Sequence, residues 1–310
     1  MPETRTPAKI GPAGPPPLRT REREFTIKER TQTQIVLGRF LRHRVAVLSL
    51  IVLLIIIVFA YVVQRLWPHD YRWFEGPSSM APSLDYLMGT DELGHDYFAK
   101  VMRGAEQSLN VALLVALLST MIGAPFGAIA GYYGGRVDML MMRFVDVLLT
   151  LPFIAIAGML AFHFQGRWYV VALILGLLGW VVNARVVRGV VLSLREQEFV
   201  EAARALGASD TRIIFRHLLP NVTGAVIVQA TLDIAGAILG EAALSFIGLG
   251  IHPPDTSLGL LTNEAQEALT TRPWLFYAPG LTIILIALTI NFIGDGLRDA
   301  LDPRQTRQRR

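Results

Sequence analysis

Apolar residues in this chain are gathered into long uncharged blocks, separated by polar segments in which arginine dominates. The first block, residues 45–63, runs for about 20 residues; at about 1.5 Å rise per residue, a helix of that length crosses a ~30 Å hydrocarbon core. Blocks at 109–133, 140–162, 168–187, 222–249 and 273–293 predict five further spans. Arg143 and Asp146 stand near the start of the third and Pro152 within it. Small residues recur in spans two, three and five, with Pro125 in the second and Pro152 in the third, as expected where helices pack closely in lipid. The pattern predicts an all-α membrane protein of six transmembrane helices, and an even number of crossings places both termini on one side.

The remaining segments divide accordingly. Residues 1–24, rich in Pro, Arg and Thr, cannot bury enough apolar surface to order themselves and read as a disordered tail. In 25–44, Phe25, Ile27, Ile35, Val36, Phe40 and Leu41 interleave with Lys, Arg and Gln. This suggests a helix lying along the membrane surface, the alternative being a basic flank of the first span. Residues 64–108 form an outer segment, 195–221 an inner loop, and 305–310 a basic tail. With the N-terminus inside, 23 of the 29 Lys and Arg residues are cytoplasmic and 6 are outside, so the positive-inside rule fixes the orientation with both termini in the cytoplasm.

That asymmetry also accounts for the pI of about 9.6 without nucleic acid as a partner. There are no cysteines, which removes disulfides and thiolate metal sites. The three lysines, Lys9, Lys28 and Lys100, do not complete a G-x-x-x-x-G-K-[ST] phosphate loop, so any ATP that powers this protein binds another chain. No nucleophile–base pair points to an enzyme.

The inner loop has its own order. Residues 196–206 are strong helix formers, and Gly207 suits the residue that stops a helix. Ser209 or Asp210 can cap a second helix carrying Ile213, Ile214, Phe215 and Leu218, before Pro220 leads into span five. The loop thus reads as a helix–turn–helix on the cytoplasmic face whose apolar residues form a docking patch.

Two other groups draw attention. Asp233 and Glu241 lie inside span five, eight residues and about 80° apart around the helix. Intramembrane acids face protein or a water-filled path, so they are either helix–helix hydrogen-bonding groups or part of a translocation route that attracts a cation. Asp91, Glu92, His95 and Asp96 cluster outside the membrane, where they cap span two or contact a partner; His69, His163 and His252 are scattered and suggest no metal site. Asp295, Arg298, Asp299 and Asp302 close span six with charge.

Glu201-Ala202-Ala203 with Gly207 and Leu219-Pro220 resembles the EAA loop of ABC importer permeases. The segment from Met88 to Asp96 (MGTDELGHD), the stretch Leu244 to Gly250 (LSFIGLG) with Pro253-Pro254, and the end from Asn291 to Arg304 (NFIGDGLRDALDPR) resemble motifs of the C-type permease of dipeptide and oligopeptide importers, to which nickel permeases are related. His95 stands where that group usually has Arg, and Leu258 where Trp is common. The resemblance runs from about Met88 to Arg304. It implies a type I importer permease forming half of a pore with a second, homologous permease subunit. Two ATP-binding subunits holding ATP and Mg, and an extracytoplasmic substrate-binding protein, complete the assembly; this chain binds no cofactor or metal itself. Glu201, Ala202, Ala203, Gly207, Asp210, Thr211, Arg212, Ile213, Ile214, Phe215 and Pro220 are then the ATPase-coupling residues. The second loop helix inserts into the ATPase, and Asp91, Glu92, His95 and Asp96 meet the binding protein. Peptide is the expected cargo, with nickel or another small solute as the alternative. A proton-coupled secondary transporter using Asp233 and Glu241 is the rival of a different class, but it leaves the loop without a purpose.

Overall fold

A computed structural model describes residues 32–74 and 76–301. The expected tail at 1–24, Phe25 and Ile27, the motif's last residues Asp302 to Arg304 and the basic tail at 305–310 lie outside the described residues. Within them the chain forms α1 (Gln32–Phe40), α2 (Arg44–Leu66), α3 (Tyr97–Tyr133), α4 (Gly135–Thr150), α5 (Phe153–His163), α6 (Trp168–Leu194), α7 (Glu198–Ala205), α8 (Asp210–Phe246), α9 (Leu258–Glu264) and α10 (Pro273–Leu301).

Five of these, α2, α3, α6, α8 and α10, are long and apolar enough to cross a membrane, and α4 with α5 forms a pair bent by 74°. The bend falls at Leu151-Pro152: Leu151 is extended, as a residue before proline prefers, and Pro152 brings no N–H to the helical ladder. At one end of this pair Asp138 accepts from Arg188 near the C-terminal end of α6 (Nη2 to Oδ2, 2.6 Å). At the other, the Gly166 carbonyl accepts from the His252 N–H, on the chain leaving the far end of α8, at 3.2 Å. The broken pair therefore runs from one end of the bundle to the other, which makes it a sixth candidate span.

Helix ends depart from the apolar blocks. The helix of the second span begins at Tyr97, twelve residues before the block at 109–133, so the last part of the outer segment is helical. Lys100, Arg103 and Glu106 hid this extension, because they pair with one another and with outer-loop carboxylates instead of facing lipid. Span five is joined to the second loop helix in a single 37-residue rod, α8, with no break at Pro220. A wide π-helical turn over Ile213–Leu218 shifts the hydrogen-bond register just ahead of the proline, and the Asn221 side chain covers the His217 carbonyl at 2.6 Å. The short helix α9 had no counterpart in the apolar pattern; Ser257 caps it, accepting from the Leu260 N–H at 3.1 Å.

The central contact is between α3 and α6. Gly123, Gly127 and Gly131 lie four apart on one face of α3, and a Cβ on any of them would run into α6 at Trp180 and Asn183, at Ala184, or at Arg188 and Val191. Lipid supplies no hydrophobic drive between helices, so such close backbone approach is what holds them together. Helix α8 packs on this pair through Ala235, Ile238 and Leu244; α10 follows through Ile286 and Ile290. At the inner end Phe40 of α1 and Ala46 of α2 meet Ala300 of α10, so α1 packs beside the C-terminal end of the bundle.

Because the nearest atoms to an added Cβ at Gly127 are Ala184 backbone, Gly127→Val is expected to separate α3 from α6 and lower stability by about 1–3 kcal/mol. Gly189, with open space around it, tolerates the same change far better. The unfolding midpoints of the two detergent-solubilised variants check this.

Candidate functional site

The inner loop is built on the ends of α3 and α6. Helix α7 ends in a Schellman arrangement: Gly207 takes φ +80°, its N–H donates to the Arg204 carbonyl at 3.0 Å, and the Ala208 N–H donates to the Ala203 carbonyl at 3.1 Å. Of the two candidate caps for the second helix, Ser209 serves, its Oγ accepting from the Arg212 N–H at 3.4 Å. Asp210 is used otherwise. Its Oδ1 accepts from the Tyr132 hydroxyl, at the end of α3, at 2.6 Å. Arg204 of α7 lies over the same tyrosine ring, 5.9 Å from its centroid. Tyr132 thereby joins both loop helices to the bundle, and Arg195 adds a bond to the Gly131 carbonyl at 3.1 Å.

The apolar face of the second loop helix is not the docking patch expected. Ile213, Ile214 and Leu218 turn inward and are buried with Tyr132, Val187, Val191, Val200 and Val222. The outward face presents Thr211, Arg212 and Phe215, with Arg216 beside them. Glu201, Ala202, Gly207 and Pro220 are exposed, whereas Ala203 is buried beneath α7. Two apolar side chains stand out in the loop: Leu206, 88% exposed at the turn, and Phe215, 49% exposed. The same hydrophobic spacing serves anchoring on one side and display on the other, a division the pattern alone does not resolve.

The two intramembrane acids separate cleanly. Glu241 is fully buried, its carboxyl taking hydrogen bonds from Ser108 of α3 at 2.8 Å and from Ser245 one turn along at 2.7 Å. Ser108 and Ser245 also accept from the Leu258 and Ile251 N–H groups, so Glu241 ties α3, α8 and the entry to α9 together. Of the two alternatives for this residue, these contacts are those of a helix–helix hydrogen-bonding group. Asp233 accepts from Asn183 Nδ2 at 2.5 Å and Gln229 Nε2 at 3.0 Å and lines a cavity of about 160 Å³ with Ser119, Phe153, Gly179 and Gly240. Gln229 and Ser245, each four residues from an acid on its own helix, were legible as partners; Asn183 and Ser108 were not.

The outer cluster is mostly structural. Asp96 is the N-cap of α3, 2% exposed, accepting from the Phe98 N–H at 2.9 Å and from Trp67 Nε1 at 2.7 Å. Asp91 folds its own loop, accepting from the N–H groups of Leu93 and His95, from the His95 ring at 2.7 Å and from Lys100 at 3.0 Å. Asp96 is thus closed to any outside partner, and Asp91 and His95 are occupied within the loop. Glu92, paired with Arg272 at 2.6 Å, remains largely exposed.

Burial alone would raise the Asp91 pKa, but the charge of Lys100 and the hydrogen bonds from His95 and Lys100 outweigh it and hold the carboxyl below its ordinary 3.8. A depressed folded value stabilises at pH above the ordinary one and is lost as pH falls through the folded one. Amide protection factors at Leu93 and His95 are therefore expected to stay high at neutral pH and to fall only in acid below 3.8; Asp91→Asn removes that acid-dependent step.

Comparison with known proteins agrees with this architecture. Residues 123–307 match the family described as binding-protein-dependent transport system inner membrane component, and residues 31–83 match the N-terminal TM domain of oligopeptide transport permease C. The chain is 42% identical over 280 residues to the oligopeptide transport system permease protein OppC of Mycobacterium tuberculosis (strain H37Rv), covering 89% of this chain and 96% of that protein. It is 40% identical over 278 residues to the dipeptide transport system permease protein DppC of Bacillus subtilis (strain 168), covering 89% and 87%. The chain belongs to the binding-protein-dependent transport permeases: it is a multi-pass inner-membrane subunit of an ABC transport system and not itself an enzyme. Within that family it stands with the OppC and DppC permeases.

Proposed function

We propose that this chain forms half of the transmembrane pathway of an importer for oligopeptides or dipeptides, the other half coming from a second, homologous permease subunit. Two ATP-binding subunits holding ATP and Mg act on its cytoplasmic face, and an extracytoplasmic substrate-binding protein brings the cargo. The peptide reading is supported by relatives named for oligopeptide and dipeptide transport that match almost nine-tenths of the chain.

The coupling reading rests on one observation: the loop helix and span five are one unbroken rod, Asp210–Phe246, whose inner end is fastened to α3 by Tyr132. Closure of the ATPase pair pushes the outward face bearing Thr211, Arg212 and Phe215. The buried Ile213, Ile214 and Leu218 carry that push into the bundle, switching the pathway between inward- and outward-facing states. Glu201, exposed on the supporting helix, pairs with a basic residue of the ATPase. On the outer face Glu92 is the residue of its cluster open to the binding protein.

Gly207 has room for a side chain, so Gly207→Ala meets only left-handed backbone strain of about 1–2 kcal/mol. Gly207→Pro removes both the positive φ and the N–H bond to Arg204. Membrane insertion is expected to survive both changes. Peptide uptake by the reconstituted complex should fall severalfold for the proline variant while ATP hydrolysis continues, and unchanged uptake would refute the lever.

Asp233, beside its cavity, attracts the cationic N-terminus of a peptide in transit. Asp233→Asn keeps the hydrogen bonds of one amide partner and removes the charge. Uptake of peptides with a free N-terminus is expected to drop more than uptake of N-acetylated ones; equal effects would take Asp233 off the route.

A further inference from the structure

We propose that the outer end of this subunit holds the phosphate headgroup of an anionic phospholipid in a cleft between its span ends. The cleft, about 800 Å³, is lined by Tyr71, Arg72 and Arg103, by Arg167, Trp168 and Tyr169, and by His252 and Asp255.

Its height in the membrane follows from the connections. Helices α5 and α6 are joined through only four residues, Phe164 to Arg167, with Gln165 and Gly166 both at positive φ. A turn that short between two membrane-crossing segments lies at the boundary of the hydrocarbon, so Arg167, Trp168 and Tyr169 sit in the headgroup layer, where aromatic rings collect. The opposite wall follows the outer end of α8, and His252 is bonded to that turn through the Gly166 carbonyl. Tyr71 and Arg72 come five and six residues after α2 ends at Leu66. Three walls are thus the outer ends of membrane crossings.

The charge is unbalanced. Among the described residues, three arginines line the cleft against one acid, Asp255, and that acid is already taken by Arg103 at 3.0 Å, with Glu106 engaging the same guanidinium at 2.8 Å. Asp70, nearby, accepts from the Arg72 backbone N–H at 3.0 Å. The guanidinium of Arg72 meets the Tyr71 hydroxyl at 2.9 Å, and that of Arg167 meets the Tyr169 hydroxyl at 3.2 Å. These are neutral partners, so among the described residues neither fork is paired with a carboxylate and both can take the paired oxygens of a phosphodiester. The aromatic rings supply a wall for the glycerol and first methylenes, and a carboxylate-lined cation site is ruled out by the sign of the field.

The test uses the whole transporter complex in nanodiscs. Wild-type complex is expected to retain phosphatidylglycerol over phosphatidylcholine through delipidation, read by native mass spectrometry. The double variant Arg72→Gln/Arg167→Gln should weaken that retention about tenfold, the equivalent of roughly one charge-assisted hydrogen bond, and leave phosphatidylcholine unchanged. Arg167→Lys keeps the charge and part of the effect, which covers a double variant that does not assemble. A phosphatidylglycerol with a photoreactive headgroup should crosslink to residues 165–169 or 252–255. Equal retention of the two lipids by wild type, unchanged retention in the double variant, crosslinks confined to other segments, or displacement of the lipid by millimolar inorganic phosphate would each overturn the assignment, the last by making the site one for a free anion.

Discussion

The contact between α3 and α6 is the constraint on which the other parts of the molecule depend. In water, two helices associate because their apolar faces leave solvent. In lipid that gain vanishes, and what remains is dispersion between closely fitted surfaces. The row Gly123, Gly127, Gly131 lets α6 approach to backbone distance. With the seam fixed, Tyr132 arrives beside Val187 and Val191, which is the floor on which both inner-loop helices rest. The same seam brings Asn183 to Asp233, while further up α3 Ser108 reaches Glu241. Widening it by one methyl group would disturb all of these at once.

The two intramembrane carboxyls show how environment separates residues of one type. Glu241 is enclosed by serine hydroxyls and apolar neighbours, where its oxygens act as a three-way hydrogen-bonding joint among segments far apart in the chain. Asp233, nearer the middle of the same helix, is held by two amides and keeps one side toward a cavity. A buried carboxyl fully occupied by donors has nothing left to offer a passing solute, whereas one beside open volume does.

Much of the fold was legible because lipid imposes length and composition on whatever crosses it. The six apolar blocks and the arginine asymmetry are consequences of that, whereas the break at Pro152 is a local backbone effect within a continuous apolar block. What the pattern hid was polar sequence continuing a helix beyond the hydrocarbon. Residues 97–108 read as loop because Lys100, Arg103 and Glu106 interrupt the apolar run, yet they satisfy one another and the outer loop. The division of Ile213, Ile214 and Phe215 between anchor and display was equally hidden, since a hydrophobic residue looks the same whether it faces its own bundle or another protein. The Tyr132–Asp210 pair joins positions 78 residues apart, and no local spacing announces it.

The rod from Asp210 to Phe246 has a mechanical consequence. At 37 residues it is roughly 55 Å long, so a tilt of about 5° about one end moves the other by some 5 Å. If the rod is the proposed lever, its length and its bearings set the direction and amplitude of the stroke. In the proposed lever, the stroke delivered in each cycle follows from the length of that rod.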